Sequence, residues 1–519
     1  MLSNRSPRLS LPVNLTLTVC VALLGCYGCK SNEQISPVAT GGATSLAVGG
    51  TGTIIPTAPG AQGGATTGTQ ITAAVGGTTA KLTASTGGGS AATGGTTAKG
   101  GASSVQTGGT SAGGTSATAA STVWRGPTPA TATAKFPFPQ NRQSANCIYP
   151  ANYRNEDVQA IYTQWKKDVV VADGSNFRVQ RPKEPGLDPN SSVSEGIAYG
   201  MIIAVYMNDQ PLFDGLWKYW LSHTWTCVPS ASQSCSNTQT TLMNWYILAN
   251  GNPGSVSGQV SLGAATDADE DAAWALIMAD RQWGGSGSLS KAYLQSAKDL
   301  LNDIWTYEIY QGKLPRNGSS WGDWNDLNIS YFAPSHYRVF AAVTGKQEWI
   351  SGVVATVYDT INKNLTAARK NQSNGLVPAW TRSDGGDISA TDRPKNYQYD
   401  SCRTPFRIGL DACFNGDSLA IAYVAKTSSF FSGVGASKIV TGYNLDGTEK
   451  PEFTGQSSSF VGTAGVGAMH SANYQSFVDD VYGLIRQNNM NNGGLYYDES
   501  WAMMTILMMT GNYLDYTKY

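Results

Sequence analysis

The sequence predicts an all-α fold whose helices lie in two concentric layers, preceded by a long arm with no core of its own. Three observations carry that prediction. Beyond residue 150, apolar residues recur at spacings of three and four through ten separate segments. Some of these, such as "EGIAYGMIIAVYM", are apolar nearly all round and belong to an inner layer, whereas "NEDVQAIYTQWKKDVVVA" and its like carry charge on one face and belong outside. The connections between them are long and hold aromatics, glycines and carboxylates, as in "LPRNGSSWGDWNDLNISYFAPSHY". Loops of that kind on a rigid scaffold usually carry function.

The arm comes first in the chain. Residues 1–29 read as an export signal: Arg5 and Arg8, then "LPVNLTLTVCVALLG", a run too short and too broken by Thr and Asn for a membrane span. "LLGC" resembles a bacterial lipoprotein cleavage box with Cys26 as the lipid-bearing residue, and "YGC" ending at Cys29 is the weaker alternative. Residues 30–122 are built from Gly, Thr, Ala and Ser, and after Glu33 their only charged side chains are Lys81 and Lys99. Such a segment buries too little apolar surface to offset the entropy of ordering it, so it reads as a flexible linker. Residues 123–519 form the globular part, since 13 of the 14 tryptophans lie beyond residue 160. Lys plus Arg (35) nearly balances Asp plus Glu (36), so no charge excess points to nucleic acid.

Five cysteines follow the signal, and in an exported protein they are expected to pair. Cys227 and Cys235 bracket a small Ser-rich loop. Cys402 and Cys413 are the second candidate pair, which leaves Cys147 odd. No CxxC lies in the globular part and its three histidines are scattered, so no metal site is expected.

Four stretches concentrate chemistry. In "SVSEGIAYGM", Glu195 heads an apolar helix. First-turn amides favour an acid there, but an apolar wall could equally hold it protonated. In "ATDADEDAAW", Thr266 reads as an N-cap, followed by Asp267, Asp269, Glu270 and Asp271. Helix-start chemistry explains one or two acids, not four in five positions. Calcium is the rival explanation, although the Gly and the downstream bidentate Glu of an EF-hand loop are missing. In "NYQYDSCRTPFRIGLD", Asp400 lies beside Arg403, with Arg407 one turn on; this is either a salt bridge or a carboxylate kept ionised as a base. In "WGDWNDLNISYFAPSHYRVF", Trp321, Trp324, Tyr331 and Tyr337 are either core aromatics or the lining of a groove for sugar rings. One acid in an apolar setting and another beside a guanidinium suit hydrolysis of an acetal between sugars, with Glu195 as acid and Asp400 as base.

These four stretches, in this order, resemble the motifs of glycoside hydrolase family 8 from about residue 135 to the C-terminus. The resemblance implies an (α/α)6 barrel with a long substrate groove and an inverting mechanism that needs no metal or cofactor. It implies Glu195 as proton donor, Asp400 as the base that activates water, Asp267 as the residue that binds and distorts the sugar at the cleavage point, and Tyr331 as the residue that orients the water. The family pattern alone singles out Asp267 among its neighbouring acids. Trp321, Trp324, Arg403 and Tyr199 are the candidate substrate-binding residues. "SEGIAYGM" and "ATDADEDAAW" look closer to the endoglucanase versions than to the xylanases, and an acid at position 400 argues against the chitosanases that lack one there. The expected partner is a polysaccharide, met by a monomer that is secreted or tethered by lipid at a bacterial surface. A noncatalytic glycan-binding barrel and a lyase remain the alternatives from other classes, the lyase lacking any clustered cationic site for uronates.

Overall fold

The computed structural model describes residues 134–519, apart from 185, 230–234, 236, 257–258, 261–262 and 488–493. The expected signal, the linker, Cys26 and residues 123–133 lie outside the described residues. Twelve α-helices occur among those described: α1 (Asn155–Val169), α2 (Ser194–Tyr206), α3 (Gln210–Ser222), α4 (Thr266–Gln282), α5 (Tyr293–Tyr307), α6 (Pro334–Thr344), α7 (Ala355–Asn364), α8 (Thr404–Asn415), α9 (Ser418–Val434), α10 (Ser458–Ala468), α11 (Gln475–Ile485) and α12 (Tyr496–Met509).

Burial alternates along this list. Every residue of α2, α10 and α12 is buried, as are all but the last of α8 and nearly all of α4. The odd-numbered helices bury one stripe: Val158, Ile161, Tyr162, Trp165 and Val169 in α1, and Phe477, Val478, Val481, Tyr482 and Ile485 in α11. That three-and-four spacing marks a helix with one wet face. Contacts close the even-numbered set into a ring, α2 on α4, α4 on α6, α6 on α8, α8 on α10, α10 on α12 and α12 on α2. Outside it, α1 covers α12, α3 covers α2, α5 covers α4, and α9 and α11 flank α10. The architecture is an (α/α)6 barrel, as expected. Short two-stranded antiparallel ribbons decorate its loops. One of them pairs Ser192–Val193 with Tyr246–Ile247 and so braces the entry to α2.

Two inner helices escape the periodicity. α6 starts inside what reads as loop, at Pro334, whose fixed φ suits a first helical turn. α10 reads "SSFVGTAGVGA", and three glycines are poor helix formers. Packing is the reason for them. A Cβ on Gly462 would lie 2.5 Å from Thr505 Oγ1, and one on Gly465 would lie 2.4 Å from both Met509 and Val481. α10 is thereby allowed to sit unusually close to α12 and α11. In the other direction, α7 stops at Asn364 rather than running on through "LTAARK". There the Asn364 Nδ2 donates to the carbonyls of Thr360 (3.0 Å) and Arg382 (3.2 Å).

The cysteine pairing needs one correction. Cys227–Cys235 forms as expected, but Cys413 pairs with Cys147, and Cys402 is free and buried. The helix explains this. Cys402 and Cys413 stand at opposite ends of α8 and its preceding turn, and at ~1.5 Å of rise per residue they are far too distant to bridge.

Replacing Gly465 with Ala should lower thermal stability, by about 1–3 kcal/mol from overpacking, although helix propensity alone favours Ala by roughly 1 kcal/mol. A melting curve for Gly465→Ala checks this: a raised Tm would mean the close approach is not what selects glycine.

Candidate active site

The even-numbered helices bring their N-terminal ends together, and the side chains that meet there are charged. At the centre is Arg403, in the 3-10 turn Ser401–Arg403 that leads into α8. It is 1% exposed, so every nitrogen must find a partner inside the protein. Nη1 contacts Glu195 Oε2 and lies 2.6 Å from Asp267 Oδ2. Nη2 lies 3.0 Å from Asp400 Oδ1, and Nε donates to Ser330 Oγ at 3.0 Å. One guanidinium thus joins the starts of α2, α4 and α8 with the turn before α6.

Glu195 is the second residue of α2 but does not cap it. Its other oxygen accepts a hydrogen bond from the Tyr496 hydroxyl at 2.8 Å, from the first residue of α12. Burial pushes its pKa up to about 7; Arg403 pulls against this, while Asp267 and Asp400 reinforce it. Asp267 is raised chiefly by burial, against the pull of Arg403 and Arg407. Asp400 is raised by burial too, and Arg403 opposes. Its backbone is unusual: φ is 72° and ψ is −70°, a rare and strained γ-turn conformation for a residue with a side chain. Glu195 and Asp400 each keep a small exposed surface, 7% of the residue. The site therefore offers a carboxyl that holds its proton near neutrality and a second carboxyl on another nitrogen of the same guanidinium.

The four acids of "DADED" separate once α4 forms. Asp267 turns to Arg403. Asp269 accepts the Met243 N–H (3.3 Å), and burial raises it well above the ordinary carboxylate range. Glu270 accepts the Tyr337 hydroxyl (2.8 Å). Asp271 is gripped by both terminal nitrogens of Arg407 and lies 3.2 Å from His336 Nε2. Burial would raise Asp271, yet Arg407 holds it below the ordinary carboxylate range. Among the described residues, no group of three or more His, Cys, Asp and Glu side chains is placed to hold a metal ion. Thr266 is the first helical residue, not the cap, which is Ala265.

The aromatics divide. Trp321 and Trp324 lie half-exposed on the loop before α6; Trp321 stacks on Trp380 at 6.3 Å, and Trp324 Nε1 donates to Gln311 (3.0 Å). Tyr331 sits against the guanidinium of Arg403, 5.1 Å from its ring centre. Tyr337 is core, stacked on Trp349 at 5.7 Å. Tyr199, expected to touch substrate, is fully enclosed: it lies 3.5 Å from Arg403 Nη1 and edge-on to Trp501. Arg403 is likewise committed to the carboxylates and is not open to a groove. Sequence reasoning missed Tyr496, Ser330, Asn328 and Trp380, which reach the site from elsewhere in the chain. The "NIS" before Tyr331 was the one available signal.

Glycosyl hydrolases family 8 matches this chain across residues 136–511. The chain belongs to that family. Among its relatives, Endoglucanase A of Acetivibrio thermocellus is 33% identical over 69% of this chain and 69% of its own length. Endoglucanase C of Ruminiclostridium cellulolyticum is 31% identical over 74% and 78%. The apo structure of a β-1,3-1,4-glucanase from Paenibacillus sp. X4 superposes with a TM-score of 0.62 at 30% identity, covering 73% of this chain and 99% of that one. The family 8 motifs are the segments that converge on Arg403.

Several buried carboxyls have pKa values raised by burial: Asp498 to about 6, Glu184 and Glu195 to about 7, and Glu499 to about 8. The native state keeps protons that the unfolded chain gives up at the ordinary carboxylate pKa of about 4, so the contribution of these four groups is full below that pKa and is lost as pH rises from there through 6 to 8. Melting curves should therefore show a lower Tm at about pH 8.5 than at about pH 5.5, and Glu499→Gln should flatten the dependence. An equal Tm at both pH values would contradict it.

Proposed function

We propose that this protein is an inverting, endo-acting glycoside hydrolase of β-1,4-linked glucan, either cellulose or mixed-linkage β-glucan. The observation that carries the reading is the pair Glu195 and Asp400, held apart on two nitrogens of one guanidinium and each exposed at one edge. Glu195, protonated at mildly acidic pH, gives its proton to the glycosidic oxygen as the C1–O bond breaks. Water attacks C1 from the opposite face, and Asp400 takes the proton that water loses. Tyr331 orients that water, and Asp267 holds the sugar ring at the cleavage point. Trp321 and Trp324 offer flat faces to sugar rings, alongside the polysaccharide chain. The endoglucanase and β-glucanase relatives support glucan over xylan or chitosan.

From residues 1–29 and the composition of 30–122, we place the enzyme outside the cell, either secreted or tethered to a bacterial membrane by lipid, with Cys26 the favoured lipid-bearing residue and Cys29 the weaker alternative. Metabolic labelling with palmitate tests the anchor: label should be lost in Cys26→Ser, and an unlabelled wild type would mean free secretion.

Reducing ends released from carboxymethyl-cellulose, barley β-glucan, xylan and chitosan test the activity. Release from the two glucans is expected. Release from xylan or chitosan alone would keep the mechanism and replace the substrate, and no release from any polymer would leave a binding protein. Glu195→Gln should cut polymer hydrolysis by on the order of 10³-fold, with a smaller loss on aryl glycosides whose leaving group needs no proton. Activity of the wild type should decline above about pH 7 as Glu195 loses its proton. A chelator should change nothing, since the acids of "DADED" are each engaged by different partners.

A further inference from the structure

We propose that Asn328 and Ser330 are positioning residues for the base, closing with Arg403 a ring of side chains that aims the Asp400 carboxylate. The inference rests on reading Asp400 as the base, and four contacts carry it. Asp400 Oδ1 takes Nη2 of Arg403 at 3.0 Å. Arg403 Nε donates to Ser330 Oγ at 3.0 Å. That hydroxyl has its own proton to give and gives it to Asn328 Oδ1, at 2.7 Å. The Ser330 N–H also donates to this oxygen, at 3.1 Å, which fixes which end of the amide is which. The Asn328 amide nitrogen therefore turns the other way, toward Asp400, whose carboxylate it stabilises. Nδ2 makes no hydrogen bond although Asn328 is only 1% exposed, so this last side of the ring stands open in the free enzyme. Catalytic contacts in a free enzyme are often long and tighten when substrate arrives.

The ring has something to resist. Asp400 sits at φ 72°, where only glycine rests comfortably, and relaxation of that peptide would swing its carboxyl away. Arg403 restrains it at two points, through its side chain and through the Arg403 N–H on the Asp400 carbonyl at 2.9 Å. A guanidinium shared with Glu195 and Asp267 cannot alone decide where one carboxylate points. Asn328 supplies the second direction, and its anchor, Ser330, is held by the same arginine. The indole N–H of Trp380 is also buried without a hydrogen-bond partner, and it favours the ionised form of Asp400.

Kinetics of the full-length protein on barley β-glucan across pH test this, comparing Asn328→Ala, Ser330→Ala and Asp400→Asn with wild type. Losing a donor to the ionised base raises its pKa, so the acidic limb of kcat/KM should move to higher pH. In Asn328→Ala we expect kcat to fall about 10- to 100-fold with KM nearly unchanged, and Ser330→Ala to shift the limb in the same direction by less. A loss of activity with the acidic limb unmoved would reduce both residues to structural support and overturn the proposal while Asp400→Asn stays inactive. Wild-type turnover by Asp400→Asn would overturn the reading of the base, and the ring with it. If Asn328→Ala does not fold, by melting curve, the limb in Ser330→Ala decides alone.

Discussion

One guanidinium among three carboxylates sets the terms for the rest of this structure. Burying a charge without a partner costs several kcal/mol even after the protein relaxes. Glu195, Asp267 and Asp400 at this depth, without Arg403, would all simply keep their protons. With it, burial and attraction compete, and the competition can leave one acid protonated while another is ionised. That division of labour is the one a hydrolase with two carboxyls needs. The arrangement is extended one turn deeper. Asp267 and Asp271 are four residues apart on α4, and Arg403 and Arg407 four apart at the head of α8, so each pair shares a helix face. The two arginines reach two successive acids as rungs across the barrel. The lower rung, Arg407 with Asp271 and His336, touches no groove; it holds the upper one in register.

The barrel explains why acids gather at this end. Six inner helices present their first turns to one another, and each brings unpaired amides and the positive end of its dipole. Such a surface favours anions before any arginine is counted. At one of these starts a short polar side chain caps an amide: Ser457 does so for α10 and also bonds Asp498 of α12, whereas the other five inner helices have no side-chain cap. The acids at the starts of α2 and α4 turn inward to Arg403 instead. Glu195 shows the result: it stands where a helix start tolerates an acid, yet its two oxygens go to Arg403 and Tyr496, not to its own backbone.

Much of this was legible in the sequence, for physical reasons that also mark where legibility stops. Helix periodicity separates inner from outer helices because full burial and one-face burial leave different patterns, and α2 and α11 obey that. It fails for α10, whose glycines are chosen for contact with Thr505, Val481 and Met509, a tertiary matter that no local propensity reports. The motifs reveal Glu195, Asp267, Asp400 and Arg403 because each sits in a dense chemical context. Tyr496 sits in none, being one of two adjacent tyrosines 301 residues from the carboxyl it serves. Tyr199 misleads in the opposite sense. A tyrosine one turn after an acid suggests a groove, but on an inner helix with no wet face the ring has nowhere to go except inward. Cys402 teaches the same lesson about distance: eleven residues look close in sequence until a helix straightens them.

The unfavourable features of the site are all concentrated in the top layer of the barrel. Raised carboxyls and a non-glycine residue at φ 72° each subtract stability, and a glycine at 400 would relieve the strain but remove the carboxylate. Such features persist only where surrounding packing over-determines them. The layer beneath does that: α2, α8, α10 and α12 are interlocked and almost wholly buried, with Trp274, Trp501 and Phe406 wedged between them. A rigid floor is what lets a strained turn and a shared guanidinium be held still. Placing the strain at the base, not the acid, also makes physical sense. A proton donor needs only to reach the glycosidic oxygen as the bond breaks, and its proton can travel along a hydrogen bond of modest quality. A base must fix the direction from which a water attacks. The tighter geometric demand falls on Asp400, and the constrained backbone, the shared guanidinium and the Asn328–Ser330 contacts are found around that residue.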